Sequence, residues 1–164
     1  MKISILVASS GKNLEIAQII EKKLGAKNAL VQLIDLEKLG LPLYTSTQEA
    51  VEIPARAHEL SDVLNSSEKI IIMSPEYNGG IPATLTNALS WVSRIGEDWR
   101  STFNNKPVLL GTHSGGAGAN VLTALRLQFS YIGANVIGRT IQASYGSPLN
   151  EDGMEACLDI LMQQ

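Results

Sequence analysis

Three short stretches carry the residues with which this chain could do chemistry. Ser9-Ser10-Gly11-Lys12-Asn13 offers hydroxyls, an amide, a cation and free backbone N–H groups just before a helical pattern. Donors at the positive end of a helix dipole make an anion site, and a phosphate fits one. Plain N-capping by Ser10 or Asn13 is the simpler alternative. The stretch has neither the G-x-x-x-x-G-K-[ST] spacing of a nucleoside triphosphate loop nor the G-x-G-x-x-G spacing of a dinucleotide loop. Ser74-Pro-Glu-Tyr-Asn-Gly-Gly-Ile-Pro82 holds Tyr77 and Asn78 among prolines that fix φ and glycines that permit φ > 0. Ser114-Gly115-Gly116-Ala117-Gly118 lets backbone approach a flat ligand closely.

Other chemistries fit these residues less well. Thr112-His113-Ser114-Gly115-Gly116 imitates the nucleophile elbow of an α/β-hydrolase, which needs a histidine after the serine. The only histidines, His58 and His113, both precede it. A phosphorylated receiver would need carboxylates at the ends of strands one and three. Those ends read Ala8-Ser9-Ser10 and Met73-Ser74-Pro75. No His/Cys/carboxylate set has metal-ligand spacing. Cys157 lies in the helical stripe Met154, Cys157, Leu158, Leu161, Met162 and reads as core. His58 reads as a surface helix residue, and Trp99 as a loop anchor or part of an interface.

The elements that must position these stretches follow from periodicity. Lys2–Ala8, Leu30–Leu36, Lys69–Met73, Pro107–Thr112 and Ala134–Ile141 read as strands, apolar enough for a sheet covered on both faces. Between them, Ile16, Ala17, Ile20 and Leu24 form a helical stripe that stops near Gly25. Ala57, Leu60 and Leu64 form another after Pro54, and Val121–Tyr131 and Met154–Met162 read as later helices. Glu37–Glu52 is long for a compact domain, so it should cover something. The helix Ala83–Ile95 is apolar on more than one side, which implies a second covering surface from this chain or from another subunit.

Strict alternation of strands and helices predicts a three-layer, doubly wound α/β fold with a five-stranded parallel sheet in the flavodoxin-like order 2-1-3-4-5. The loops after strands one, three and four then meet at one edge. At 164 residues the chain is most economically one domain, 1–164, burying about 70% of the surface its unfolded form exposes. The net charge of −3 carries no basic stripe for nucleic acid, and no apolar run could span a bilayer. The apolar stretch Ile3–Ala8 is short and soon interrupted by Lys12 and Glu15, so it reads as a strand and not as a signal peptide. A single cysteine fits a reducing compartment, and the cytoplasm is expected.

Ser74–Pro82, continuing through Leu85, Asn87-Ala-Leu89 and Trp91, resembles the signature of the NADPH-dependent FMN reductases, which also include azoreductases and quinone or chromate reductases. Lys106–Leu110 with Ser114–Gly118 and Leu125-Arg126 resembles that family's fourth strand, second flavin loop and helix. Asn13 with Ile16-Ala17 resembles the end of its phosphate loop. The resemblance implies FMN, with the phosphate on Ser9, Ser10, Lys12 and Asn13. It implies an isoalloxazine between the turn Pro75, Glu76, Tyr77, Asn78, Gly79 and the loop Ser114, Gly115, Gly116. NADPH or NADH would be the co-substrate, and a flavin, quinone or azo compound the small-molecule electron acceptor. No catalytic side chain is named, because the cofactor carries the redox step. The first loop departs from the family pattern: it is shorter, lacks the arginine, and has Gly11 in place of a further serine. Only Lys12 supplies charge there, which implies a weaker or differently seated phosphate.

Two alternatives stay open at this point. One is a flavodoxin-like electron carrier, disfavoured by the absence of acidic runs near the three loops. The other is a flavin-free interaction module, favoured by the short first loop. The doubly apolar third helix predicts a homodimer or dimer of dimers.

Overall fold

Apolar strands and amphipathic helices alternate along the whole of the computed structural model, which describes residues 1–164. The strands are β1 (Lys2–Val7), β2 (Leu30–Asp35), β3 (Lys69–Met73), β4 (Pro107–Ser114) and β5 (Asn135–Ser144). They form one parallel five-stranded sheet in the order β2-β1-β3-β4-β5. The expected topology is the one observed. The helices are α1 (Lys12–Ala26), α2 (Leu36–Leu39), α3 (Ser46–Val51), α4 (Ala55–Ser66), α5 (Ala83–Val92), α6 (Ala119–Tyr131) and α7 (Glu151–Gln163). None is long and apolar enough to cross a membrane.

Alternate strand residues feed two cores. Ile5, Val7, Ile71, Met73 and Leu109 pack beneath α1 and α7, with Ile20, Leu24 and Leu158. Leu6, Ile70, Ile72, Val108 and Leu110 pack on the opposite face, beneath α4, α5 and α6, with Leu64, Leu85 and Phe129. The period of two along each strand sends neighbours to opposite faces, so a central strand covered on both sides reads as an unbroken apolar run. Cys157 is buried and unpaired in the first of these cores.

The structure departs from the expected boundaries where distant contacts intervene. β4 runs two residues past Thr112, because β5 itself continues to Ser144 and pairs with it: His113 opposes Ala143 and Ser114 opposes Ser144. β5 reaches that far through an irregularity that sets Val108 against Val136 but Leu110 against Thr140. The carbonyls of Val136, Ile137 and Gly138 there accept from the Arg126 guanidinium at 3.0–3.4 Å, so the disrupted ladder does not leave them orphaned. α7 starts at Glu151, because the Asn150 side chain accepts from Gly153 N and caps it. α5 stops at Val92, three residues short of Ile95.

The long connection after β2 contains α2 and α3 and covers α5. Trp91 is fully buried, with its indole N–H donating to the Pro42 carbonyl at 2.7 Å. The Asn87 side chain accepts from Tyr44 N at 2.7 Å and donates to Pro42 O at 2.9 Å. The Tyr44 ring meets Trp91 edge-on at 5.2 Å. The second apolar side of α5 is therefore covered by this chain's own strap.

Candidate functional site

β1, β3 and β4 end side by side, and the loops leaving them bound a cleft of about 280 Å³. Nine of the anticipated residues line it; Asn78, Gly79 and Gly116 stand outside. Asn78 and Gly79 form the tip of the second loop, and Gly116 lines an adjoining depression. Gly11, Glu37, His113 and Tyr145 complete the lining.

The first wall is the start of α1. Gly11, Lys12 and Asn13 have backbone N–H groups with no acceptor in the protein, and Gly11 supplies no side-chain cap. The Ser9 hydroxyl lies beside them, largely buried. Lys12 extends to Glu15, with Nζ to Oε2 at 2.7 Å, and that hydrogen bond raises its pKa above the ordinary lysine value. Asn13 is only 2% exposed, and its side-chain amide faces the end of β4 instead of the cleft mouth. Of its groups, the backbone N–H alone remains for a ligand.

The second wall is a hairpin-like turn after β3. Tyr77 N donates to Gly80 O at 3.1 Å and Gly80 N returns to Tyr77 O at 2.9 Å. The two residues between them, Asn78 and Gly79, have φ of 51° and 76°. Positive φ at both central positions marks a type I′ turn, for which Asn-Gly is the preferred pair. The left-handed positions thus fall on Asn78 and Gly79, and Gly80 is not one of them. The turn holds the Tyr77 ring out at the rim, 52% exposed.

The third wall is the end of β4. The Ser114 hydroxyl accepts from Glu76 N at 2.8 Å and shares a hydrogen bond with Thr112 Oγ1 at 2.7 Å. The Glu76 carboxylate turns away from the cleft and accepts from Val121 N at 3.0 Å, capping α6. The chain enters that helix at Gly118, with φ 67°, where a Cβ would lie 2.7 Å from Thr112 Cγ2. Glu76, Ser114 and Asn13 therefore fix the loops to one another. Gly115 and Gly116 are exposed and have open space where a side chain would be.

Residues 1–147 match the model of the family described as NADPH-dependent FMN reductase. The chain belongs to that family. It is 27% identical over 172 residues to an NAD(P)H-dependent FMN reductase of Saccharomyces cerevisiae, a match covering 93% of this chain and 86% of that one. It is 31% identical over 115 residues to a quinone reductase of Escherichia coli, covering 68% of this chain and 57% of the relative. Among solved structures, the flavoenzyme NAD(P)H:(acceptor) oxidoreductase FerB of Paracoccus denitrificans has the same fold, with a TM-score of 0.77 at 18% identity over 99% of this chain and 93% of that one. An FMN-dependent NADH-azoreductase of Bacillus anthracis, solved with FMN, aligns with a TM-score of 0.72 at 14% identity over 98% of this chain and 100% of that one.

The cleft suits the cofactor of this family. Three unmet N–H groups at a helix start can hold a phosphate. The rim tyrosines, Tyr77 and Tyr145, offer aromatic surface to a flat ring. Sequence reasoning missed Tyr145, His113 as a lining residue, and Glu37. Tyr145 follows β5 and meets the His113 ring edge-on at 5.0 Å. An aromatic residue just past a strand end was the available signal. Glu37 lies just past the end of β2, adjacent to β1 in the sheet.

Proposed function

We propose that this chain is an FMN-dependent NAD(P)H oxidoreductase that passes hydride equivalents from a nicotinamide nucleotide to a flavin, quinone or azo acceptor. The observation that carries the reading is a cleft lined both by backbone N–H donors without acceptors and by exposed aromatic rings, in a chain of this family. When bound, FMN supplies the ring that accepts and gives up hydride, so no protein nucleophile is required. The N–H groups of Gly11, Lys12 and Asn13 and the Ser9 hydroxyl hold the phosphate. Tyr77 and Tyr145 flank the ring, and Asn13, Glu76 and Ser114 keep the three walls in register. The mouth stays open for nicotinamide and acceptor in turn.

The purified protein should bind FMN, and NADPH or NADH should bleach the bound flavin under anaerobic conditions. Binding without bleaching by either nucleotide would point to an electron carrier, and no binding at any FMN concentration to a flavin-free module.

The same proposal extends to assembly and setting. With the second apolar side of α5 covered by its own strap, the face left for a homodimer is the groove between α5 and α6, lined by Leu89, Trp99 and Ile132, with Leu127 and Tyr131 of α6 73% and 75% exposed. Light scattering should give a multiple of 17.6 kDa, and a monomeric mass at micromolar concentration would refute the dimer. The unpaired, buried Cys157 is consistent with a reducing cytoplasm.

A further inference from the structure

The phosphate end of the cleft carries a feature opposed to phosphate. Ser10 N donates to Glu37 Oε2 at 3.0 Å. The Ser10 hydroxyl donates to both oxygens of Asp35, at 2.8 and 3.0 Å. Both donors that Ser10 could offer an anion are already held by carboxylates.

The two acids are not equivalent. Asp35 has a structural assignment: it caps α2 through Glu37 N at 3.1 Å and lies 3.5 Å from Lys38 Nζ. Glu37 is exposed, lines the cleft and has no cationic partner within 4.0 Å. Its acceptor is aimed at a backbone donor next to the three unmet N–H groups of the α1 start. Lys12, the one cation lining the cleft, is already bonded to Glu15.

We propose that Glu37 is a specificity residue: its carboxylate is held on Ser10 N beside the free donors of the first loop, so a phosphorylated flavin enters against like charge and a flavin without phosphate does not. This rests on the flavin-site reading above and narrows it. A phosphate dianion entering beside Glu37 meets like charge at short range, whereas a neutral flavin ring carries no charge for the carboxylate to repel. The chain consequently favours FMN over riboflavin far less than a phosphate loop of free donors would. The flavin behaves as an exchangeable ligand.

The test is flavin affinity, read by isothermal titration or quenching of flavin fluorescence, for FMN and for riboflavin in parallel. Glu37 is exposed, so its substitutions leave the fold intact. Glu37→Gln, which keeps the acceptor but not the charge, should tighten FMN binding about tenfold and leave riboflavin within about twofold. Glu37→Ala, which also frees Ser10 N, should do at least as much. An FMN-to-riboflavin affinity ratio identical in wild type and both variants would overturn the proposal, as would equal tightening for both flavins. Failure of wild type and both variants to bind either flavin is a separate result, which removes the flavin site itself and the proposal with it. FMN binding that appears only in the variants would support the proposal.

Discussion

The side-chain amide of Asn13 makes both hydrogen bonds that the backbone of His113 presents on one side, accepting from His113 N at 2.8 Å and donating to His113 O at 2.9 Å. In a parallel sheet these groups would pair with the next strand. β3 has already ended at Met73, opposite Gly111, and Ser74 N takes the Gly111 carbonyl. Asn13 replaces the missing strand. It thereby ties the start of α1 to the end of β4, two walls of the cleft that lie 100 residues apart in sequence.

Asn13→Ala should therefore destabilise the protein by about 2 kcal/mol or more, since two partly buried backbone groups lose their partners. Asn13→Asp should also destabilise, because a carboxylate would face the His113 carbonyl. Urea unfolding checks this: the midpoint should fall with the slope unchanged.

The Asn78–Gly79 turn should respond to backbone conformation alone. A Cβ on Gly79 has room, its nearest neighbour being Asn120 Nδ2 at 3.8 Å, so Gly79→Ala pays only for positive φ, about 1 kcal/mol. Asn78→Gly should be nearly neutral in the same unfolding measurement. A large loss on Asn78→Gly would mean that its side chain, not its φ, matters.

Tyr145→Ala and Tyr77→Ala should weaken binding of FMN and riboflavin equally, by about 1 kcal/mol or fivefold for each ring. Parallel titrations give the check. The pattern is the opposite of that expected at Glu37, where the two flavins separate.

The α1–α7 clasp should make stability pH-dependent. The Lys27 ammonium, 2.6 Å from the Glu155 carboxylate, holds the glutamate below its ordinary value of 4.5, with Lys23 assisting at 3.3 Å. A lowered folded-state pKa means the unfolded chain binds the proton more readily, so this contribution is present above pH 4.5 and is lost as pH falls through the folded-state value. Lys27 is shifted up from 10.5 by Asp159 and Glu155, so its share is present below 10.5 and is lost on going above. Both side chains are still about a third exposed, which keeps the effect small. Wild type should lose stability faster than Glu155→Gln on acidification from about pH 5 to pH 3, measured by urea unfolding.

Local chemistry was legible in the sequence. Apolar segments named the five strands, helical stripes named the inner faces of α1, α4 and α7, and the alternation of strands and helices implied the sheet order observed. The Asn-Gly pair after Tyr77 and the glycines after Ser114 marked two walls of the cleft because backbone conformation depends on the residues that adopt it. What depends on juxtaposition was not legible. The extension of β4 through His113 rests on pairing with β5, and Tyr145 reaches the cleft only because of that pairing. Glu37 meets Ser10 because β2 and β1 are neighbours in register, Val7 opposite Asp35. No run of residues records such a contact, since each partner's position is set by the whole sheet. The sequence by itself therefore determined the architecture and the three stretches that wall the cleft. Tertiary structure alone decided that Asn13, Glu76 and Ser114 bond to one another's elements, and that the Glu37 carboxylate sits on the loop after β1.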